Sequence, residues 1–241
     1  MRYWVLSLIL YAILIPTTAI AETVIVPADD FPPWKIVKDG KITGGIDTDF
    51  IDALLKGLNL SAEYRVCPWK RCLLIMKNGE GDLISGITLS KERQKYLTYL
   101  TPPYKTKSQK VLFVGNGKRG AFQVLEDMEH KQIGYLRGAR YFDEFHENAA
   151  IKKYEVNTDF QGMKMVIGGR LDAFLITREN GEYLLQENPV LMKSLEMSEW
   201  NYNEVINVYL AISKKSTLST RVSELEAIIR ELLDSSVTDK K

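Results

Sequence analysis

Cysteine, histidine and net charge are all scarce in this sequence of 241 residues. The two cysteines and the two histidines, His130 and His146, form no pattern typical of a metal site. Lys and Arg number 32 and Asp and Glu 31, so the net charge is +1 and gives no indication of a nucleic-acid surface. The remaining composition, 45% hydrophobic and 26% charged, excludes a disordered or collagen-like chain. We therefore expect a globular protein with no metal, no cofactor and no nucleic-acid partner.

A hydrophobic run of membrane-spanning length is also missing. The longest run follows Arg2, and its apolar part, Tyr3–Ile15, is shorter than the ~20 residues that a spanning helix needs. Pro16 interrupts this run, and Ala19-Ile20-Ala21 has the small-x-small pattern of a signal-peptidase cleavage site. These features are typical of a cleaved secretory signal peptide, predicted here as residues 1–21, with an uncleaved anchor as the alternative. Cleavage would remove one basic residue and leave 31 charges of each sign.

The two cysteines, Cys67 and Cys72, enclose the segment Pro-Trp-Lys-Arg. On one continuous helix their side chains would point about 140° apart. Pro68, however, suits the first position of a helix, which would leave Cys67 outside the helix and free its direction. In an oxidising compartment we expect a Cys67–Cys72 disulfide; the alternative is a buried, reduced Cys72 beside a free Cys67. Either arrangement has a structural role.

Short apolar runs alternate with helical patterns of ten or so residues along the chain. This alternation predicts an α/β fold with a parallel sheet. A helix capped by Asp47 or Thr48 follows the Gly44-Gly45 bend, and the last helix carries Val222, Leu225, Ile229 and Leu232 on one face. The other predicted helices cover 68–77, 141–148 and 160–167, and the predicted strands cover 23–27, 62–66, 82–84, 111–114, 133–136, 172–176 and 205–212.

The segment from Gly79 to Arg93 contains the strongest indication of a ligand site. A predicted strand ends at Gly86, where the backbone is bare, and Thr88 adds a hydroxyl group at the same exit. Ser90 is suited to cap a new helix, which would place Arg93 in its first turn. A guanidinium group beside free N–H groups and a hydroxyl group is suited to bind a carboxylate. The alternative is a surface arginine paired with a neighbouring acid.

Several short motifs are distributed along nearly the whole chain after residue 21, and their order and spacing are informative. They are Phe31-Pro-Pro-Trp34, Gly45-Ile-Asp47, Gly79-Glu-Gly-Asp82, Gly86-Ile-Thr88 with Lys91-Glu-Arg93, Thr101-Pro-Pro-Tyr104, Gly169-Arg-Leu-Asp172-Ala, and Ala211-Ile-Ser213-Lys-Lys. Each motif is weak alone. Together they resemble the family 3 extracellular solute-binding proteins, the receptors of polar amino-acid uptake systems.

This resemblance implies a two-lobed α/β fold of the periplasmic-binding-protein type (type II), in which each lobe is a mixed sheet flanked by helices. Two hinge strands would cross between the lobes, near residues 105–110 and 204–209. Lobe 1 would comprise residues 22–107 and 207–241, and lobe 2 residues 108–206. The ligand would lie in the cleft between them.

The resemblance also implies which residues line that cleft. Arg93 corresponds to the arginine that binds an α-carboxylate, with the Thr88 hydroxyl group beside it. Ser85 and Gly86 correspond to positions that offer backbone groups, and Phe31, Trp34 and Trp69 to an aromatic wall. From lobe 2, the loop of Arg137, Gly138, Arg140 and Tyr141 would close over the carboxylate side of the ligand.

One position departs from the amino-acid-binding pattern. Such proteins usually hold the α-ammonium group with an aspartate five residues after the aspartate of the Asp-Ala pair, and here Thr177 stands at that position. Glu179 is a substitute if the loop bends. We expect the ligand to be either a carboxylate without an α-amino group or an amino acid held through Glu179. Asp172 itself is expected to cap or pair within lobe 2, and Asp29 to point away if the first strand continues through it.

The resulting hypothesis is a monomeric, non-catalytic periplasmic receptor that closes on a small carboxylate-bearing ligand and delivers it to an ABC permease. Two alternatives remain at this stage. One is a periplasmic enzyme of the cyclohexadienyl dehydratase kind, for which Glu179 is the candidate general acid. The other is a ligand-dependent partner of a sensor kinase.

Overall fold

The structure, a computed structural model, describes residues 22–203 and 205–238. Its strands are β1 (Glu22–Ala28), β2 (Ile36–Lys38), β3 (Lys41–Gly44), β4 (Leu60–Val66), β5 (Leu83–Thr88), β6 (Leu97–Tyr99), β7 (Lys110–Gly115), β8 (Gln132–Leu136), β9 (Lys152–Val156), β10 (Ala173–Thr177), β11 (Leu195–Tyr202) and β12 (Val208–Ser213). Its helices are α1 (Ile46–Lys56), α2 (Trp69–Asn78), α3 (Asp143–Glu147), α4 (Asp159–Ile167), α5 (Arg178–Glu187), α6 (Pro189–Ser194) and α7 (Val222–Thr238). The predicted signal peptide lies outside the described residues.

The strands form two groups, which we call lobe 1 and lobe 2. Lobe 1 contains the parallel pair β1-β4, the hairpin β2-β3 and the antiparallel sheet β5-β12-β6. Lobe 2 contains one mixed sheet in the order β11-β7-β10-β8-β9. The α/β prediction is confirmed, but the sheets are not all parallel. In lobe 1, β12 returns from lobe 2 and runs antiparallel to β5 and β6, and in lobe 2, β7 runs antiparallel to β10 and β11. The predicted residue limits of the lobes are compatible with these sheets and remain a prediction.

Each lobe has its own hydrophobic core. In lobe 1, Leu54 of α1, Leu210 of β12 and Leu225 of α7 are fully buried in one cluster. In lobe 2, consecutive residues of β7 point to opposite faces of the sheet, so that Leu112 packs into one cluster and Phe113 into another. The lobe 2 sheet is therefore covered on both faces, as its continuous apolar strands require.

The two crossing segments meet where the chain passes between the lobes. The Lys105 and Val208 backbones form an antiparallel bridge, in which the Val208 N–H donates to the Lys105 carbonyl at 2.8 Å. Val208 is the first residue of β12, so the predicted strand 205–212 begins three residues too early. No helix within the described residues is both long and apolar enough to cross a membrane.

Two predicted helix starts are wrong. Helix α1 begins at Ile46, with Gly45 at the capping position, and the Thr48 hydroxyl group donates to the Gly45 carbonyl at 2.7 Å. Asp47 is consequently inside the first turn and buried. Helix α3 begins at Asp143 rather than near residue 141, because the preceding backbone is extended.

Helices α5 and α6 and strands β2, β3, β6, β9 and β11 were not predicted. In α5, Gly181 is buried inside the helix, where an added Cβ atom would lie 2.2 Å from the Phe113 ring. The glycine is present because the helix passes so close to β7. Helix α6, Pro189–Ser194, has only six residues, and strand β11, Leu195–Tyr202, has eight residues but an irregular register between Met197 and Asn201, which disturbs its periodicity.

Candidate functional site

A cleft between the lobes collects most of the residues predicted to bind a ligand. Phe31, Trp34, Trp69, Gly86, Thr88, Arg93, Arg140, Tyr141 and Thr177 all line it. They come from the ends of β1, β5, β8 and β10, from the start of α2 and from the segment after β5. The sequence therefore predicted where the cleft lies and which strand ends build it.

Arg93 begins a short 3-10 helix after β5 and is 6% exposed. Its Nη1 donates to the carbonyl and hydroxyl oxygens of Thr88 at 3.3 and 3.4 Å, and its Nη2 donates to the Gly138 carbonyl at 3.0 Å. Burial lowers the pKa of the guanidinium group. Within the described residues no carboxylate lies within 4.0 Å of it, so Arg93 is a buried cation without a paired anion.

Contacts between Arg93, Trp69 and the Gly138 loop join the two lobes. The Gly138 carbonyl also accepts a hydrogen bond from the Trp69 indole N–H at 3.2 Å, and the Thr88 hydroxyl group donates to the Arg140 carbonyl at 3.4 Å. Gly138 has a φ of 80° and lies against Lys70, to which an added Cβ atom would come within 3.2 Å. The cleft is therefore closed in this structure, and residues of lobe 1 hold the lobe 2 loop directly.

A disulfide joins Cys67 to Cys72, as predicted. Pro68 caps α2 rather than occupying its first position, so the helix begins at Trp69. Cys72 is fully buried one turn later. The disulfide therefore encloses the first turn of α2, the turn that presents Trp69 to the cleft.

The aromatic wall carries two lysines that the sequence did not predict. Lys105 Nζ lies 3.3 Å from the centre of the Trp34 ring, and Lys35 Nζ lies 5.6 and 5.5 Å from the Phe31 and Trp69 rings. The Trp34 indole nitrogen is buried and has no hydrogen-bond partner in the described part of the chain. This wall thus offers a donor as well as apolar surface.

Two buried acids, Asp29 and Asp47, lie near these aromatic residues in the cleft. Strand β1 ends at Ala28, so the condition under which Asp29 would point away is not met, and Asp29 is buried and pairs with Lys35 at 2.7 Å. Asp47 accepts a hydrogen bond from the Tyr104 hydroxyl group at 2.9 Å, and burial raises its pKa. Its second oxygen has no hydrogen-bond partner among the described residues.

Lys110, the first residue of β7, is the most informative residue that the sequence did not predict. Its Nζ donates to the hydroxyl oxygens of Ser108 at 2.6 Å and Thr177 at 2.7 Å, and burial lowers its pKa to about 7. Asp159, at the start of α4, accepts from the Asn180 amide at 2.6 Å, and burial raises its pKa to about 7. Lys110 lies in the predicted hinge segment, and a lysine at the start of an apolar strand was the available signal.

Four predicted site residues lie outside the lining of the cleft. Arg137 is exposed and pairs with Glu155 at 3.2 Å, and Ser85 is buried beside Asp47. Gly138 contributes its carbonyl oxygen to the contact with Arg93. Glu179 has one carboxylate oxygen that is buried with no hydrogen-bond partner among the described residues.

Asp172 has the structural role that we expected. Its side chain accepts a hydrogen bond from the Gln132 backbone N–H at 2.8 Å within lobe 2. Asp82 does the same in lobe 1, where it accepts from the Ile25 N–H at 2.8 Å. Each aspartate ties the turn after a helix to a neighbouring strand, Asp172 to the start of β8 and Asp82 to the middle of β1.

Comparisons with known proteins agree with this architecture. Residues 23–239 match the profile of the bacterial extracellular solute-binding proteins, family 3. The L-cystine-binding protein TcyJ of Escherichia coli K12 is 28% identical over 154 residues, which cover 61% of this chain and 56% of that protein. A probable histidine-binding protein of Neisseria gonorrhoeae is 25% identical over 91 residues, or 37% of this chain and 33% of that protein. The aligned part is thus about half or less of these relatives.

Solved structures share the fold over most of the chain. An ancestral arginine-binding protein bound to arginine superposes with a TM-score of 0.76 at 21% identity, covering 90% of this chain and 95% of the other. The substrate-binding protein AbpA from Streptococcus pneumoniae bound to L-arginine gives 0.75 at 22% identity, with coverages of 90% and 92%. Because the family profile spans almost all of the described residues, the chain belongs to the bacterial extracellular solute-binding proteins of family 3.

Proposed function

We propose that this protein is a receptor that closes its two lobes around a small solute bearing a carboxylate group. The observation that carries the proposal is Arg93, a buried guanidinium group without a paired anion at the meeting point of the lobes. A buried charge is costly unless it is paired. A ligand carboxylate would supply the missing charge while Thr88 and the Gly138 loop surround it.

Closure would report occupancy to a second protein. Ligand binding shifts an equilibrium between open and closed lobes, because the ligand contacts both lobes only in the closed form. The relatives named for cystine, histidine and arginine binding, and the transporter membership of AbpA, support an amino acid or related compound as ligand and an ABC permease as partner. The predicted signal peptide supports export to the periplasm, where we propose that the protein acts as a monomer.

We propose a binding role rather than a catalytic one. The dehydratase alternative relied on Glu179 as general acid, and Glu179 is not among the residues that line the cleft. Asp159, whose pKa is raised to about 7, does line the cleft and is the acid that such chemistry would need. Incubation with prephenate or arogenate tests this directly, and product formation that is lost in Asp159→Asn would establish an enzyme.

The binding role is tested by a thermal-shift screen followed by calorimetry. Amino acids, carboxylates and their deaminated counterparts are screened first, since saturation at about 100 times Kd stabilises a protein by roughly 2.7 kcal/mol. For any hit, we expect Arg93→Ala to weaken binding by about 100-fold, the equivalent of about 3 kcal/mol. Arg71→Ala, which removes an exposed arginine from α2, is the matched control. Equal affinity in wild type and a folded Arg93→Ala variant would overturn the proposal.

A further inference from the structure

We propose that the ligand carries a second carboxylate and no α-ammonium group, and that Lys110 with Ser108 and Thr177 forms the site for this second anion. The inference rests on the proposed binding function and specifies the chemical class of the ligand as a small dicarboxylate. It is carried by the position of Lys110 in the closed cleft and by the balance of charges around it.

Lys110 has a donor to spare that faces the cleft. An ammonium group has three protons. Two of the protons of Lys110 are directed to the Ser108 and Thr177 hydroxyl oxygens, and the side chain lines the cleft 5.4 Å from the centre of the Tyr141 ring. Lys110, Ser108 and Thr177 are each 5% exposed or less. No carboxylate lies within 4.0 Å of Lys110 in the described part of the chain, so the third proton is available to a ligand oxygen.

Among the residues that line the cleft, the cations without a paired acid outnumber the acids without a paired cation. Lys35 is neutralised by Asp29, and Arg140, which also lines the cleft, pairs with Asp143 at 2.5 Å. The lining cations that remain are Arg93, Lys105 and Lys110, and the lining acids that remain are Asp47 and Asp159. Burial raises the pKa of both acids and lowers the pKa of all three cations, so it weakens charges of both signs, and the excess of one cation remains. An anion is therefore favoured over a cation in this space.

Arg93 and Lys110 form two separate positive groups, which is why a single carboxylate does not satisfy the cleft. Arg93 lies between the end of β5 and the Gly138 loop, whereas Lys110 lies at the start of β7 beside the end of β10. The charges that influence the Arg93 pKa come from Tyr99, Tyr96, Glu92 and Arg140, and those that influence the Lys110 pKa from Lys105, Glu179 and Asp159. A carboxylate at each end of a short ligand would pair with both groups.

An α-ammonium group beside Thr177 would meet the Lys110 ammonium group instead of an anion. Like charges in a closed cleft repel strongly because the dielectric is low. The competing arrangement places the ligand ammonium against Asp159, whose second oxygen is buried and without a hydrogen-bond partner in the described residues. These two arrangements predict opposite preferences between ligands that differ only in the amino group.

The test compares matched ligands by calorimetry at pH 7. Succinate is paired with L-aspartate and glutarate with L-glutamate, since each pair differs only by the ammonium group. We expect the better of the two unsubstituted acids to bind at least about tenfold more tightly than its amino counterpart, a difference of about 1.4 kcal/mol. Equal or tighter binding of the amino acid, or no detectable binding of either dicarboxylate, overturns the inference.

Variants then locate the second anion site. Lys110→Gln is expected to weaken dicarboxylate binding by about 30-fold or more and to leave butyrate, which has one carboxylate, within about threefold of wild type. Lys107→Gln, an exposed lysine in the same segment, is the control. The double variant Lys110→Met with Thr177→Asp should reverse the preference toward the amino acid. An unchanged dicarboxylate affinity in a folded Lys110→Gln variant overturns the site.

The outcomes also separate this inference from the proposed function. If an α-amino acid binds with dependence on Arg93, and Asp159→Asn abolishes that binding, the receptor function stands and the dicarboxylate inference falls. If a ligand binds without dependence on Arg93, the proposed function falls.

Discussion

Arg93 and Lys110 are both buried cations in the cleft, but burial has different consequences for them. A guanidinium group is charged throughout the accessible pH range, so Arg93 stays charged at neutral pH even though burial lowers its pKa. A lysine starts at 10.5, and burial brings the pKa of Lys110 to about 7. Arg93 is therefore a permanent anchor, whereas the charge of Lys110 depends on the pH and on what binds beside it.

This difference predicts a pH dependence of binding. An anion at Lys110 stabilises the protonated amine, so its affinity should fall as pH rises above about 7, by up to about tenfold per pH unit. The groups that face Lys110 are Lys105, Glu179, Asp159 and the Tyr141 ring. Ionisation of Asp159 between about pH 6 and 8 acts in the same direction, because it adds a negative charge near the anion.

Calorimetry of the best dicarboxylate between pH 6 and 9 measures this dependence. Repeating the titration at one pH in buffers of different ionisation enthalpy should show proton uptake on binding. Lys110→Gln should lose most of the slope above pH 7. Affinity that is constant over this range, or that increases with pH, would contradict the assignment of Lys110.

At the residue scale, the sequence predicted Arg93 but not Lys110, and the reason is physical. Arg93 follows a strand that carries Gly86 and ends at the hydroxyl residue Thr88, a local pattern that favours an anion site. Lys110 acquires its role from Thr177, 67 positions further along the chain, through a contact that exists only once β7 and β10 pair. Asp29 shows a similar limit of the sequence, because the direction of its side chain depended on whether β1 ended at Ala28 or continued through Asp29.

At the scale of one element, the disulfide should stabilise both the protein and the cleft. It closes a loop around the start of α2, and loop-entropy reasoning assigns about 2 kcal/mol to so short a loop. We expect Cys67→Ser with Cys72→Ser to lower the free energy of unfolding by about this amount. Ligand affinity should fall severalfold as well, because Trp69 lies in the enclosed turn.

Urea denaturation with and without a reductant measures the first effect, and calorimetry measures the second. The reductant should destabilise the wild type and leave the double variant unchanged, which serves as the internal control. A double variant as stable as the oxidised wild type would show that the disulfide contributes nothing to folding.

Helix α5 provides a second prediction at this scale. Gly181→Ala would place a methyl group 2.2 Å from the Phe113 ring, so we expect a loss of about 1–3 kcal/mol in the free energy of unfolding. On helix propensity alone the same substitution would stabilise an exposed helix by up to about 1 kcal/mol. Chemical denaturation therefore distinguishes the steric effect from the helix-propensity effect, because they change the free energy of unfolding in opposite directions. Gly115→Ala, on the same strand as Phe113 with no atom within 4 Å of the added group, is the control.

The elements with clear periodicity were predicted, and those shaped by tertiary packing were not. Strands such as β1 and β10 are continuous apolar runs, and α7 repeats leucine and isoleucine on one face. Helix α5 contains a glycine because Phe113 leaves no room for a side chain. A glycine selected by packing is indistinguishable, in the sequence alone, from one that ends a helix.

At the scale of the whole molecule, charge selectivity has to come from the cleft. With 31 charges of each sign after removal of the predicted signal peptide, no net field attracts an anionic solute from a distance. Selectivity would instead arise when the lobes close and exclude water, which strengthens every interaction with Arg93 and Lys110. Contacts that hold the lobes together therefore contribute to affinity even where they do not touch the ligand.

Trp69 offers a direct test of that coupling. Trp69→Phe keeps an aromatic ring near Arg93 but removes the hydrogen bond to the Gly138 carbonyl, a contact that joins the two lobes in this structure. One such hydrogen bond is worth about 0.5–1.5 kcal/mol, so the closed form should lose population and ligand affinity should fall roughly three- to tenfold. In small-angle X-ray scattering, the Trp69→Phe variant should therefore need roughly three- to tenfold more ligand than the wild type to reach the same compaction. Tyr154→Phe, at an exposed ring of lobe 2, is the control, and a Trp69→Phe variant that matches it in affinity would show that the contact does not stabilise closure.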